Sequence, residues 1–378
     1  MRENYAGVVV QDETNLRNVV EHSPTELPTP AQELVGRELP NGWKVKKLIE
    51  RPMDATGGHF STSYVVRSKD GETAFLKAMD FRKALESGDP ARTLQIMTAA
   101  YNFERDILEK CRARGLSRVV RVLDASTLPA QNGDPSSVVQ YLIFEMADGD
   151  IRSVANFRRV FETAWALRTM HQTAVALQQL HSVQIAHQDL KPSNVLIFEN
   201  NNSKLADLGR ACDRHTTSPY DKLDFAGDQS YAPPELLYGY VDSDWQVRRL
   251  GCDLYLFGSL VVFLCTGVSM THLLLKRLDG EYHFEKDVTY SDVLPYLENV
   301  FAQIIREFRD VIRTDFAEEI AELVKQLCNP NPKLRGHPKN IGMRGNNQSL
   351  ERYVSKFNRL ARTAELSLTR REPIRRFR

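Results

Sequence analysis

The alternation of apolar and polar residues divides the chain into a strand-rich first part and a helix-rich second part. Trp43–Ile49 and Ser63–Arg67 carry strand character, and Thr73–Met79 follows after the turn Lys69-Asp70-Gly71-Glu72, which is a hairpin signal. A helical stretch is expected around Thr93–Arg112, then two apolar strands at Val119–Leu123 and Val138–Glu145. Beyond Asp150 the period changes. Leu167, Met170, Ala174, Leu177 and Leu180 fall on one face at helical spacing. Further helices are expected near Leu250–Cys265, Leu294–Ile312 and Phe316–Cys328, and Leu350, Tyr353, Phe357, Leu360, Ala361 and Ala364 form one amphipathic helix over Ser349–Leu366. Residues 1–35 are polar and hold Pro24, Pro28 and Pro30, so they read as a loose leader with one short strand at Gly7–Gln11. The pattern gives four parts: a leader over 1–35, a small sheet-bearing unit over 36–147, a larger helical unit over 148–340, and a helix with a basic tail over 341–378.

Composition narrows the class. With 42% hydrophobic and 26% charged residues, the 378-residue chain is an ordinary globular protein. A net charge of +1 provides no field to draw in nucleic acid or an anionic membrane. The 5 cysteines include no Cys-x-x-Cys pair, which favours free thiols in a reducing, cytoplasmic setting over a disulfide or zinc framework. Leu254–Val268 is too short to span a bilayer and reads as a core helix.

Chemistry concentrates in His187-Gln188-Asp189-Leu190-Lys191-Pro192-Ser193-Asn194, a loop between the amphipathic helix and the apolar strand Val195–Phe198. A carboxylate at Asp189 can orient a hydroxyl and take its proton, Lys191 can neutralise a moving anionic group, and Asn194 offers an oxygen to a hard cation. Six such positions recur by chance about once in ~10⁷ starting points. Downstream, Asp207 stands at the end of an apolar strand in Lys204-Leu205-Ala206-Asp207-Leu208-Gly209, a good seat for a cation ligand. An Asp-x-Gly turn alone is common; its spacing after Asn194 makes it informative.

Together these two segments resemble the catalytic and metal loops of the eukaryotic-type protein kinase superfamily, over about Gly36 to Lys339. The resemblance implies a two-lobed α+β fold, a serine/threonine specificity suggested by Lys191, ATP and Mg²⁺ as cofactors and a protein substrate; oligomeric state stays open. It also implies roles along the chain. Lys77 in Ala74-Phe75-Leu76-Lys77 would pair the phosphates, and Glu104 would hold Lys77. Asp207 and Asn194 would hold the metal. Phe144 would be the gatekeeper, with the Glu145 carbonyl and Ala147 amide on the adenine edge and Asp150 near a ribose hydroxyl. Glu235, in Tyr231-Ala232-Pro233-Pro234-Glu235, would pair Arg335, and Asp253 would brace the catalytic loop. Gly57 and Gly58 fall in the glycine-rich loop, where Thr56 and Ser61 replace two of the family's three glycines.

Four further positions depart from the family pattern. Phe75 stands where a small residue usually faces adenine. Leu208 replaces a phenylalanine, and Asp228 replaces a threonine near the substrate. Gln188 replaces the arginine that usually binds a phosphate on the activation loop, so activity is expected not to require phosphorylation of Thr216, Thr217 or Ser218. The irregular glycine loop and Phe75 keep open a kinase-shaped scaffold with weak or no catalysis. A small-molecule kinase on a related fold is disfavoured by Pro233-Pro234-Glu235 with Arg335.

Overall fold

The computed structural model describes residues 28–50, 61–81, 84, 87–129, 137–157, 162–223, 225–312, 314–342 and 347–371. The expected strand at Gly7–Gln11, both glycines Gly57 and Gly58, and residues 372–378 of the arginine-rich end lie outside the described residues.

The small lobe is one antiparallel sheet with a helix beneath it. Its strands are β1 (Lys44–Leu48), β2 (Ser61–Arg67), β3 (Thr73–Met79), β4 (Val122–Leu128) and β5 (Val139–Glu145), in the order β1-β2-β3-β5-β4. Residues alternate between sheet faces, so Ala74, Leu76 and Ala78 of β3 are buried on the outer face and Phe75 and Lys77 look the other way. Tyr64, Val66 and Tyr141 share that outer core with Trp43, Ala31 and Leu34. The chain therefore packs on the sheet ahead of Gly36, where the polar composition suggested only a leader. The Tyr64 hydroxyl donates to the Ala31 carbonyl at 2.6 Å, and Thr29 donates to Asp80 at 2.6 Å.

Helix α1 (Pro90–Ala113) starts at Asp89, whose side chain accepts from the Arg92 amide at 3.1 Å, with Pro90 in the first helical position. Lys110 and Arg112 in its last turn complement the helix dipole. Its buried face runs through Met97, Tyr101, Glu104, Leu108 and Cys111 at three- and four-residue spacing. The strand expected at Val119–Leu123 begins only at Val122, because Val120 is taken by another partner: its amide donates to the Leu205 carbonyl at 2.8 Å, stitching the small lobe to the large one.

The large lobe contains α2 (Ile151–Phe157), α3 (Thr163–Ser182), α4 (Pro234–Leu237), α5 (Gly251–Thr266), α6 (Met270–Arg277), α7 (Tyr290–Val311), α8 (Ala317–Leu327) and α9 (Glu351–Arg371). Short strands β6 (Gly149–Asp150), β8 (Val195–Phe198) and β9 (Asn202–Leu205) pair in the order β6-β8-β9, and β7 (Ile185–Ala186) pairs with β10 (Cys212–Asp213). Helix α5 is the hub: Cys252 through Val262 are all buried. At Gly258 a methyl group would sit 2.5 Å from the Cys328 sulfur and 2.7 Å from Leu327, so only glycine lets α8 approach this closely. Helix α9 lays Tyr353, Phe357, Leu360 and Ala361 on the large lobe, beside α3, and Arg168 clamps Glu365 at 2.7–2.8 Å. Each large apolar side chain buried there contributes about 1.5–3 kcal/mol.

Candidate active site

On the cleft face of β3, the Lys77 ammonium donates to both oxygens of Glu104 at 3.0 and 3.1 Å and stands 3.5 Å from Asp207 Oδ1. Burial alone would lower the pKa of this lysine. Glu104 and then Asp207 outweigh it and hold its pKa above the ordinary value. Glu104 lies on the buried stripe of α1, a position where a charge needs a partner. Burial pushes its carboxyl up against the pull of Lys77. Phe75 points the same way as Lys77 and pairs across the sheet with Phe144, the ring centroids 6.4 Å apart. The gatekeeper position and the residue expected to face adenine thus form one aromatic wall.

The loop around Asp189 is built from buried polar groups. Asp253 on α5 accepts from the amides of His187 and Gln188 at 2.8 and 2.9 Å, and from His181 Nε2 at 2.8 Å. Burial raises the Asp253 carboxyl, but His181, His187 and the Gln188 amide bring it below the ordinary range. This anchoring holds Gln188 in a left-handed conformation, φ 66°. The His187 ring bridges the two loops: Nε2 donates to the Ala206 carbonyl at 3.0 Å, which leaves Nδ1 to accept the Asp189 amide at 3.3 Å.

Asp189 itself is 6% exposed. Its Oδ1 accepts the Asp228 amide at 2.9 Å, and its Oδ2 accepts Asn194 Nδ2 at 3.1 Å, with Lys191 Nζ at 3.4 Å. Burial raises its pKa, opposed chiefly by Lys191. Lys191 stays charged because Asp189 and Asp228 outweigh its burial. A side chain at Gly227 would collide with the Gln188 carbonyl and approach Asp189 Oδ1 to 3.0 Å, so this glycine permits the approach of Asp228.

Asp207 closes β9 in a left-handed conformation, φ 60°, with its carboxylate exposed to the cleft. Lys77 in the first place holds its pKa low, so it is ionised at neutral pH. Leu208 is fully buried and its turn packs on α1, so the leucine fills the phenylalanine's place. Asn194 donates through Nδ2 to the Asp189 carbonyl at 2.7 Å, which fixes the amide and leaves Oδ1 with only a long 3.4 Å contact from Ser193. Among the described residues no cluster of three metal-ligating side chains exists. One carboxylate and one carboxamide oxygen suit a hard ion that keeps its other positions for phosphate and water, as Mg²⁺ does.

The remaining expected residues are placed as follows. The Glu145 carboxylate is engaged by Lys204 at 2.6 and 2.7 Å and accepts the Arg121 amide at 2.7 Å. The Ala147 amide has no hydrogen-bond acceptor among the described residues. Asp150 caps α2, its Oδ1 accepting the Ser153 amide at 2.8 Å, so that oxygen is committed to the helix terminus rather than to a ribose. Arg335, fully buried, forks onto Glu235 at 2.7 and 2.8 Å and donates further to the carbonyls of Asn329, Gly251 and Pro330. Two contributors carried no recognised sequence signal: His181, in the last turn of α3, and Arg249, one turn before Asp253 on the same helical stretch.

The protein kinase domain family profile matches residues 56–342. The serine/threonine-protein kinase PKH3 of Eremothecium gossypii is 34% identical over 126 residues, 31% of this chain and 17% of that protein. G protein-coupled receptor kinase 2 of Caenorhabditis elegans is 41% identical over 69 residues, 18% of this chain and 9% of the relative. The maternal embryonic leucine zipper kinase of Danio rerio is 40% identical over 69 residues, 18% and 10%. Each match spans less than a fifth of the relative's length. With the profile covering most of the chain and a sheet-bearing lobe stacked on a helical one, the chain belongs to the eukaryotic-type protein kinase superfamily.

Proposed function

We propose that this protein transfers the γ-phosphoryl group of ATP to serine or threonine hydroxyls of protein substrates. The observation that carries the reading is the convergence of Lys77, Glu104 and Asp207 across the lobes, with Asp189 and Asn194 joined by hydrogen bonds beside them. Lys77, held charged by Glu104, orients phosphate oxygens. Asp189 aligns the acceptor hydroxyl and takes its proton on its carboxylate, whose Oδ1 accepts the Asp228 amide and whose Oδ2 accepts Asn194 Nδ2. Lys191, 3.4 Å from that oxygen, offsets charge on the moving group. Asp207 and the Asn194 Oδ1 would hold Mg²⁺, which when bound neutralises phosphate charge. The serine/threonine preference is supported by Lys191 and by the name of one relative, the serine/threonine-protein kinase PKH3. A reducing, cytoplasmic setting belongs to the same proposal, supported by five free thiols.

The test is transfer of radiolabelled γ-phosphate to a cell-protein mixture by the wild type and by Asp189→Asn. Labelling should fall by about 10²-fold or more in the variant, the range for losing a general base. Equal labelling would remove Asp189 from its role.

A second reading, a kinase-shaped scaffold, is favoured by one feature: the Phe75 ring, 6.4 Å from Phe144, stands where a small residue is expected to face adenine. An ATP–Mg²⁺ titration separates the two, since a scaffold binds weakly and labels nothing.

A further inference from the structure

The activation segment follows the metal loop and returns to the catalytic loop at Gly227 and Asp228. Its position matters directly, because the Asp228 amide donates to Asp189 Oδ1 at 2.9 Å. Gln188 offers no charge to hold this segment, yet the segment is held through its main-chain carbonyls.

Two consecutive arginines on the helical turn Gln246–Leu250, just ahead of α5, make those contacts. Arg248 Nη2 donates to the carbonyls of Asp221 and Leu223, each at 3.3 Å. Arg249 Nη2 donates to the same Asp221 carbonyl at 3.4 Å. Its other fork arm, Nη1, donates to Gln188 Oε1 at 3.1 Å. Gln188 answers with Nε2, which donates to the Arg249 carbonyl at 2.9 Å and to Asp253 Oδ1 at 3.1 Å. Arg249 is 2% exposed, and no carboxylate lies within ion-pair distance of it among the described residues. Its acceptors among the described residues are neutral oxygens, and a guanidinium buried in that way is costly. The segment it grips is tightly turned: the Ser218 amide donates to Asp221 Oδ2 at 2.7 Å, and Arg210 lies over the Tyr220 ring at 4.2 Å.

We propose that Arg249 is a positioning residue: its fork ties the activation segment at Asp221 to the catalytic loop at Gln188, supplying from α5's leading turn the cation that Gln188 lacks. The proposal rests on the kinase reading for its effect on turnover, not for its effect on order. It explains why an amide suits position 188. A second guanidinium there would face Arg249 in a dry site, whereas the glutamine accepts from Arg249 and donates to Asp253 in one orientation.

The experiment compares wild type, Arg249→Gln and the charge-retaining Arg249→Lys, which keeps a cation but cannot reach both acceptors with one rigid fork. Amide hydrogen exchange over residues 218–223 and 225–228 should quicken about tenfold or more in both variants, while α3 and α8 keep wild-type exchange. Phosphoryl transfer to a synthetic serine/threonine peptide library should fall by about 10²-fold, with KM for ATP nearly unchanged, as expected for a misplaced acceptor site. Phosphatase-treated wild type should keep its turnover. Unchanged exchange in the variants overturns the proposal, as does faster exchange with undiminished transfer, or complete loss of wild-type activity on phosphatase treatment. A wild type that labels no peptide at all sinks the kinase reading instead, and the exchange data still decide whether Arg249 orders the segment.

Discussion

Two cation–carboxylate pairs in this molecule have nearly the same ingredients and opposite settings. Arg335 and Glu235 are sealed, with side chains 0% and 5% exposed, and the guanidinium finds an acceptor on every arm. Lys77 and Glu104 are also closely paired, but Lys77 is 23% exposed and shares its charge with Asp207 across the cleft. A sealed pair has nothing left to offer a ligand and can only hold elements together. A pair open on one side keeps a charge in position for something else. Burial and the number of satisfied donors, not the ion pair itself, separate architecture from chemistry here.

Breaking each pair should reveal that division. Arg335→Met leaves Glu235 buried without its partner, and we expect a loss of about 3–5 kcal/mol in unfolding free energy, measured by urea denaturation. Were the loss below ~1 kcal/mol, the pair would not be the lock between α4, α5 and the Asn329–Pro330 loop. Lys77→Met should instead lower phosphoryl transfer by about 10²-fold, about 2.7 kcal/mol in transition-state terms. Its stability should fall by less than about 2 kcal/mol, because Glu104 can take up a proton. A variant that unfolds as readily as Arg335→Met would erase the contrast.

A pH titration sharpens it further. The Asp189 pKa is raised by burial, so protonation removes the base as pH falls through that raised value, and kcat/KM should drop by about one decade per pH unit below it. Asp253 has a lowered pKa. Its stabilising contribution is full above the unfolded carboxylate value and is lost only as pH falls through its own, lower value. A pH window should therefore exist in which the protein is folded, by circular dichroism, and inactive. Coincident loss of structure and activity would contradict it.

Much of the small lobe was legible because strands and hairpins leave local marks. Thr73–Met79 falls where the alternation and the preceding turn put it, and in the large lobe the strand Val195–Phe198 does the same. Helix α1 runs from Pro90 to Ala113 against an expected Thr93–Arg112, since the cap at Asp89 adds a turn that apolar periodicity does not mark. The strand at Val119 was misread for a different reason. The next amide, that of Val120, donates to Leu205, which is far away in sequence, and no local pattern reports such a bond. The leader's last residues were misread likewise, since Ala31 and Leu34 are buried only because the sheet's outer face lies open to them. At the site, Asp189, Asn194, Asp207 and Lys77 were readable as residue types at a spacing. The capping role of Asp150 was not, because nothing local marks that one of its oxygens takes the helix start.

Residue order was enough to specify which elements form and which side chains carry reactive groups, since propensity, periodicity and motif spacing are local properties. Folding in three dimensions settled the rest: which charges are sealed, which face the cleft, and that Arg249 rather than a residue at 188 grips the activation segment. Those outcomes depend on burial and on hydrogen bonds between residues far apart in the chain, and both exist only once the lobes have packed.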